Sequence, residues 1–292
     1  MWIPMSPWGA RETPLTGRDV VTHVLRREVK SIAHNEPLAH EGADAEGVHQ
    51  LRVSARRMRA ELRAMRDVLP RDPWRDLSED LKWMGAVLGR LRDLDVLGEL
   101  FDEHLAPGSP VREQVTSTLQ RRRATSRRDV DELLESARYG RIIRRLARLS
   151  RHPAMGEVGD IPASELFLPS LWAAVATYVA AIGDPLDHRN DRSLHLVRIA
   201  SKKCRYNFEV ATLYVGAPAR VVAESLEAIQ TILGQVQDRS VAIAFLDSLG
   251  LSPDTDLEVR RALRREIVDL RPQWIPHFRD VQRDVVVVFA NR

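Results

Sequence analysis

Residues 48–59 read VHQLRVSARRMR and residues 194–205 read LHLVRIASKKCR. His49, Arg52, Arg56, Arg57 and Arg59 therefore fall on His195, Arg198, Lys202, Lys203 and Arg205 at a constant offset of 146. Cations spaced three and four residues apart share one side of a helix and can donate several charge-assisted hydrogen bonds to one oxyanion, a task that suits the planar guanidinium. At about 100° per residue His49, Arg52, Arg56, Arg59 and Arg63 lie within an arc of roughly 80°, forming a stripe about 20 Å long. No acid interrupts it, since Glu61 falls on another face. Like charges at these spacings repel by a few tenths of a kcal/mol per pair, approximately, so the stripe gains from a bound polyanion.

The second copy places His195, Arg198, Lys202 and Arg205 in the same stripe, but Glu209 stands where the first copy has Arg63. Glu209 is expected to weaken an anion site there or to pair with Arg205 one turn away, leaving the first copy the stronger binder. Neither histidine belongs to a His-x-x-x-His or His-Glu-x-x-His pattern, so no metal and no cofactor are expected. The rings read as packing residues or as donors to a phosphate oxygen.

A second repeat follows each basic segment. Leu88-Gly89-Arg90-Leu91-Arg92-Asp93 matches Leu233-Gly234-Gln235-Val236-Gln237-Asp238, displaced by 145. Glycine inside a helix costs roughly 1 kcal/mol relative to alanine, so close approach of a neighbouring helix is expected at Gly89 and Gly234. Asp93 and Asp238, one turn on, would then support the basic helices by hydrogen bond or ion pair rather than catalyse anything.

Two anchors at nearly one offset imply an internal duplication. The elements that position them read as helices near 17–33, 46–68, 75–104 and 110–148, the last breaking near Tyr139-Gly140. The second set lies near 166–182, 191–215, 218–249 and 255–289, with bends at Pro272 and Pro276. Asp44, and Asp191 to Ser193, offer polar residues for the starts of the basic helices. Leu51, Ala55, Met58, Leu62, Met65 and Leu69 form the packing side of the first; Val197, Ser201, Cys204, Phe208 and Ala211 form that of the second. The fold class is all-α: two tandem four-helix bundles related by a pseudo-two-fold. A flexible segment 1–16 precedes the first bundle, 17–149; a polar, Pro- and Gly-bearing linker, 150–164, separates it from the second, 165–292.

Composition agrees. Hydrophobic residues make up 44% and aromatics only 5%, with 15 glycines in 292 residues, a bias towards helix rather than sheet. Forty-four basic residues oppose 41 acidic ones, so distribution rather than net charge must carry function. The one cysteine, Cys204, excludes an internal disulfide and a thiolate zinc cluster. No stretch reads as a signal peptide or a membrane span, and a cytoplasmic location with no membrane partner is expected. Arginine clusters at 121–128 and 260–265 have acids beside them and read as solvated faces.

The paired His-x-x-Arg-x-x-x-basic-basic-x-Arg helices, each followed by a Leu-Gly-x-x-x-Asp helix, resemble the CHAD family, the conserved histidine α-helical domain. The resemblance spans nearly the whole chain from about residue 17. It implies two pseudo-symmetric four-helix bundles whose basic helices line a cationic surface or pore that binds long-chain inorganic polyphosphate. By position, the residues facing that ligand would be His49, Arg52, Arg56, Arg57, Arg59 and Arg63, with His195, Arg198, Lys202, Lys203 and Arg205. CHAD modules are often fused to a triphosphate-tunnel hydrolase domain bearing a Glu-x-Glu-x-Lys strand. That motif is lacking here, so a stand-alone member that binds polyphosphate without hydrolysing it is implied, with polyphosphate granules and their proteins as its surroundings. The residues themselves leave two other classes open. A nucleic-acid binder would add stacking aromatics or base-reading polar side chains to the stripe, which has neither. A phosphohydrolase would need clustered carboxylates for a metal or a glycine-rich phosphate loop, and neither is found.

Overall fold

The computed structural model describes residues 14–41, 45–188, 190–251 and 255–290. The first half contains α1 (Gly17–Glu41), α2 (Ala45–Ala64), α3 (Arg71–His104), α4 (Pro110–Glu135) and α5 (Ala137–Leu149). The second contains α6 (Ala163–Ile182), α7 (Asp191–Ala211), α8 (Ala217–Ser248), α9 (Leu257–Leu270) and α10 (Trp274–Ala290). Among the described residues no strand forms, and one isolated bridge joins Thr16 to Pro162. The fold is all-α, as the pattern requires. Both basic segments fall on the second helix of their half and both Leu-Gly-x-x-x-Asp segments on the third. Asp44 and most of segment 1–16 lie outside the described residues.

Each expected fourth helix is two helices. The first breaks at Ser136 rather than at Tyr139-Gly140, because the Ser136 hydroxyl accepts from the Tyr139 amide at 3.1 Å and caps α5. In the second half Pro272 ends α9 outright, whereas Pro276 is tolerated within the first turn of α10, where its missing N–H is no loss. The first helix runs on through Pro37 to Glu41, beyond its expected end. α7 starts at Asp191, as expected, and is capped by Asn190 rather than by Asp191 to Ser193: the Asn190 side chain accepts from the Ser193 amide at 2.9 Å in a capping box.

The expected packing sides are buried. Leu51, Ala55, Met58, Leu62 and Met65 are all at or below 3% exposure, and so are Val197, Ser201, Cys204, Phe208 and Ala211. Ser201 satisfies its hydroxyl on the Val197 carbonyl at 2.9 Å, which makes a polar residue tolerable in that core. At Gly47 a Cβ would stand 2.5 Å from the Ala39 amide nitrogen, so the α1–α2 corner depends on glycine there.

The two halves share core residues. One core fills the first half but takes in Ala163, Phe167 and Val210 from the second. Another fills the second half. A third belongs to both: Leu97, Phe101 and Leu105 of the α3 end, Val111, Val115 and Leu119 of α4, Phe245 and Leu246 of α8, Val259 and Leu263 of α9. Beside it His104 of α3 and Arg239 of α8 share the Glu266 carboxylate of α9. The linker is pinned on α1: Arg18 bonds Asp160 at 3.1 Å and the Gly156 carbonyl at 2.7 Å, and the Ala163 amide donates to the Leu15 carbonyl at 2.7 Å.

The apolar helix α6 is long and apolar enough, by length and composition, to cross a membrane, which departs from the expectation of no such stretch. In the fold its Phe167, Leu171, Val175, Tyr178 and Ile182 are buried in the cores.

Candidate anion site

Helices α2 and α7 pack against each other across the two halves. Their basic residues separate into two populations by what they touch. On one flank Arg57 meets Glu209 of the other half at 3.4 Å, and Arg205 meets the same carboxylate at 3.1 Å and Glu227 at 2.8 Å. Behind them the buried Glu28 and Glu61 are held by Arg27, with Arg57 at 4.0 Å from Glu28. Arg57 and Arg205 thus hold acids and tie the halves together, and Arg205 is 6% exposed rather than part of an open stripe. Glu209 pairs with Arg205 as expected and with Arg57 as well.

The other flank differs. Arg56, Arg59, Arg63, Arg198, Lys202 and Lys203 have no hydrogen-bond or ion-pair partner for their charged groups among the described residues. The Nε atoms of Arg56, Arg59 and Arg198 are buried without a hydrogen-bond acceptor, as are those of Arg57 and Arg205, whose charge is nevertheless met by carboxylates. A buried N–H without an acceptor costs about 1–3 kcal/mol, which an anion bound along this flank would relieve. Five of the six cations line an open cleft of about 740 Å³, the exception being Arg198. The third wall of the cleft is α6, through Ser170, Ala173, Ala174 and Thr177.

The titration behaviour of these groups reports their crowding. Burial, then the neighbouring Arg56, Arg198, Arg52 and Arg205, brings the Lys202 ammonium down to about 8. Burial and the same kind of repulsion, from Arg56, Arg92 and Arg198, lower Arg52, against the pull of Asp93. His49 is lowered by burial and then by Arg92, with smaller contributions from Arg52 and Arg56 opposing Glu46, so its ring tends to stay neutral. His195 is exposed and is not part of the cleft that Lys202 and Lys203 line.

Asp93 takes Arg52 at 3.2 Å, the support expected of it. Asp238 is half-buried with Arg198 as its strongest cationic neighbour, and burial raises its carboxyl. The expected close helix approach at the two glycines is not found. A Cβ on Gly89 would stand 3.4 Å from Arg52 Nε, so that glycine leaves room for the guanidinium, and around Gly234 nothing lies within 4 Å. Among the described residues no group of three or more His, Cys, Asp or Glu is placed to hold a metal ion.

Of the two outlying arginine clusters, Arg123 is tied to Asp95 at 2.7 Å, Arg127 to Asp131, and Arg260 to Asp256 and Asp247. Arg121 and Arg122 line a shallow groove with Arg90, Asp93 and Asp129. The α6 wall of the cleft carries no signal in the sequence, because small residues on an apolar helix look like core.

Among known proteins, the CHAD domain family model matches residues 23–247. The uncharacterized proteins MT2285 and Rv2226, from two strains of Mycobacterium tuberculosis, are each 29% identical over 226 residues, 73% of this chain and 42% of theirs. The chain thus spans less than half the length of these curated relatives. The crystal structure of the CHAD domain from the plant Ricinus communis superposes with a TM-score of 0.67 at 24% identity, covering 97% of this chain and 95% of that one. PptA from Streptomyces chartreusis gives 0.64 at 20% identity, with coverages of 93% and 99%. At these identities the two structures speak for the fold alone.

Proposed function

The chain belongs to the CHAD domain family, and on that premise we propose that it binds long-chain inorganic polyphosphate at the α2–α7 surface without acting on it as an enzyme. The family is associated with polyphosphate-related proteins. One observation carries the reading: Arg56, Arg59, Arg63, Arg198, Lys202 and Lys203 cluster on two helices packed against each other, and their charged groups have no hydrogen-bond or ion-pair partner among the described residues. Phosphate oxygens at regular intervals on a flexible polymer supply the acceptors these donors lack. A continuous anion also spans both helices, so contacts on α7 follow those on α2 at high effective concentration. Binding would release counterions from the polymer, and affinity would fall steeply with salt, by analogy with nucleic acids about 10³-fold between about 50 and 200 mM for six contacts. Cytoplasmic polyphosphate granules are the setting that this reading suggests.

The test is the combined replacement of Arg52, Arg56, Arg198 and Lys202 by glutamate, with helicity followed by circular dichroism and binding by titration of long-chain polyphosphate. Loss of binding with helicity kept is expected; retained affinity refutes the site. Competition with single-stranded DNA and RNA at matched charge and salt separates a polyphosphate binder from a nucleic-acid binder. Chain-length analysis after incubation with Mg²⁺ or Mn²⁺ is expected to show no shortening.

A further inference from the structure

The cleft has two chemically unlike sides. Arg56, Arg59, Arg63, Lys202 and Lys203 make it strongly cationic on the α2 and α7 side, where Asp67 is the one acid and is already engaged by Arg66 at 3.4 Å. The opposite side carries no charge: Ala173 and Ala174 of α6 form a smooth ledge, with the hydroxyls of Ser170 and Thr177 at its margins. Ile199, on the cationic helix itself, lines the same cleft at 37% exposure.

A bare phosphate chain gains nothing from an apolar ledge, since its oxygens lose water there and find no donors. The cleft, open and about 740 Å³, has room for a small organic group beside the phosphates. Ile199 offers an apolar contact beside the cations that an organic group, but not a bare phosphate chain, would cover.

Building on the anion-binding reading above, we infer that this cleft takes an oligophosphate ester, a polyanionic head joined to an uncharged organic group. The head lies against Arg56, Arg59 and Lys202, and the organic group covers Ile199 and the Ala173–Ala174 ledge. Nucleotides and phosphorylated lipid headgroups share this chemistry. No bond is made or broken; the inference concerns recognition only.

The test is calorimetry on the full chain with inorganic tripolyphosphate, adenosine triphosphate and a short-chain phosphatidylinositol trisphosphate, and with long-chain polyphosphate titrated in parallel. At least one ester is expected to bind about tenfold tighter than tripolyphosphate, about 1.4 kcal/mol; the ester that gains identifies the source. Ile199→Ser, and independently Ala174→Gln, should remove that advantage while tripolyphosphate affinity stays unchanged. Tripolyphosphate binding as tightly as both esters overturns the inference, and so does an ester advantage that survives both substitutions. Long-chain polyphosphate that binds while no ester gains refutes this inference alone. An ester that gains while long-chain polyphosphate fails to bind refutes the polymer reading and supports this one.

Discussion

Lys202 should make polyphosphate binding take up a proton. In the free protein, burial and the guanidinium groups of Arg56, Arg198, Arg52 and Arg205 bring its ammonium from an ordinary 10.5 to about 8. A bound polyanion reverses the local field and restores the proton. At pH 8 about half a proton should be taken up per complex, rising to about nine-tenths at pH 9, and affinity should fall up to about tenfold per pH unit above 8. Full recovery of the ordinary value corresponds to about 3 kcal/mol as an upper bound. The sign for folding is the reverse. Between pH about 8 and 10.5 the unfolded chain holds this proton and the folded chain does not, so the free protein gains stability as pH rises through that window. Calorimetry in two buffers of different ionisation enthalpy counts the protons directly, and long chains keep terminal phosphates from contributing. Lys202→Arg, which stays charged, should retain affinity at pH 7 and lose the alkaline dependence. No uptake at pH 9, or an unchanged pH dependence in Lys202→Arg, refutes this account.

Burial pushes the Glu61 carboxyl up to about 8 against the pull of Arg27, so the folded chain holds a proton that the unfolded chain releases near 4.5. Its contribution to stability is therefore full below about 4.5 and lost as pH rises through about 8, a slope that Glu61→Gln should flatten in thermal melts across that range. Glu209→Gln removes the carboxylate shared by Arg57 and Arg205, and should cost about 1 kcal/mol, since Arg57 is partly exposed and Arg205 keeps Glu227, seen as a drop in denaturant midpoint with little loss of helicity. Gly234→Ala adds a methyl group into open space on a helix and should stabilise by about 0.5–1 kcal/mol with polyphosphate affinity unchanged.

Periodicity on single helices made much of this legible. The packing sides of α2 and α7 could be read because apolar residues at helical spacing have one place to go. The stripe from Arg52 to Arg63 could be read because no acid interrupts it. What a helix meets could not be read. The Arg205–Glu209 pair is local to α7 and was legible, but only the approach of α7 to α2 brings Arg57 onto the same carboxylate. Gly89 was legible as a place where something comes close, but the visitor is the Arg52 side chain rather than a helix. The α6 ledge is invisible beforehand, since an alanine facing a cleft and an alanine facing a core are the same letter. The core shared by α3, α4, α8 and α9 depends on long-range contacts that no local pattern encodes.

That shared core makes the covalent join between the halves mechanically redundant. Phe101, Leu105, Val115, Phe245 and Leu263 are packed in a core drawn from both halves, and Glu209 fastens the halves a second time through Arg57. A chain severed within 150–162 should therefore yield two fragments that remain one particle. Expressed separately, each would carry an uncovered apolar flank and await the other, so the molecule offers itself as a pair of complementing fragments whose reunion rebuilds the cleft.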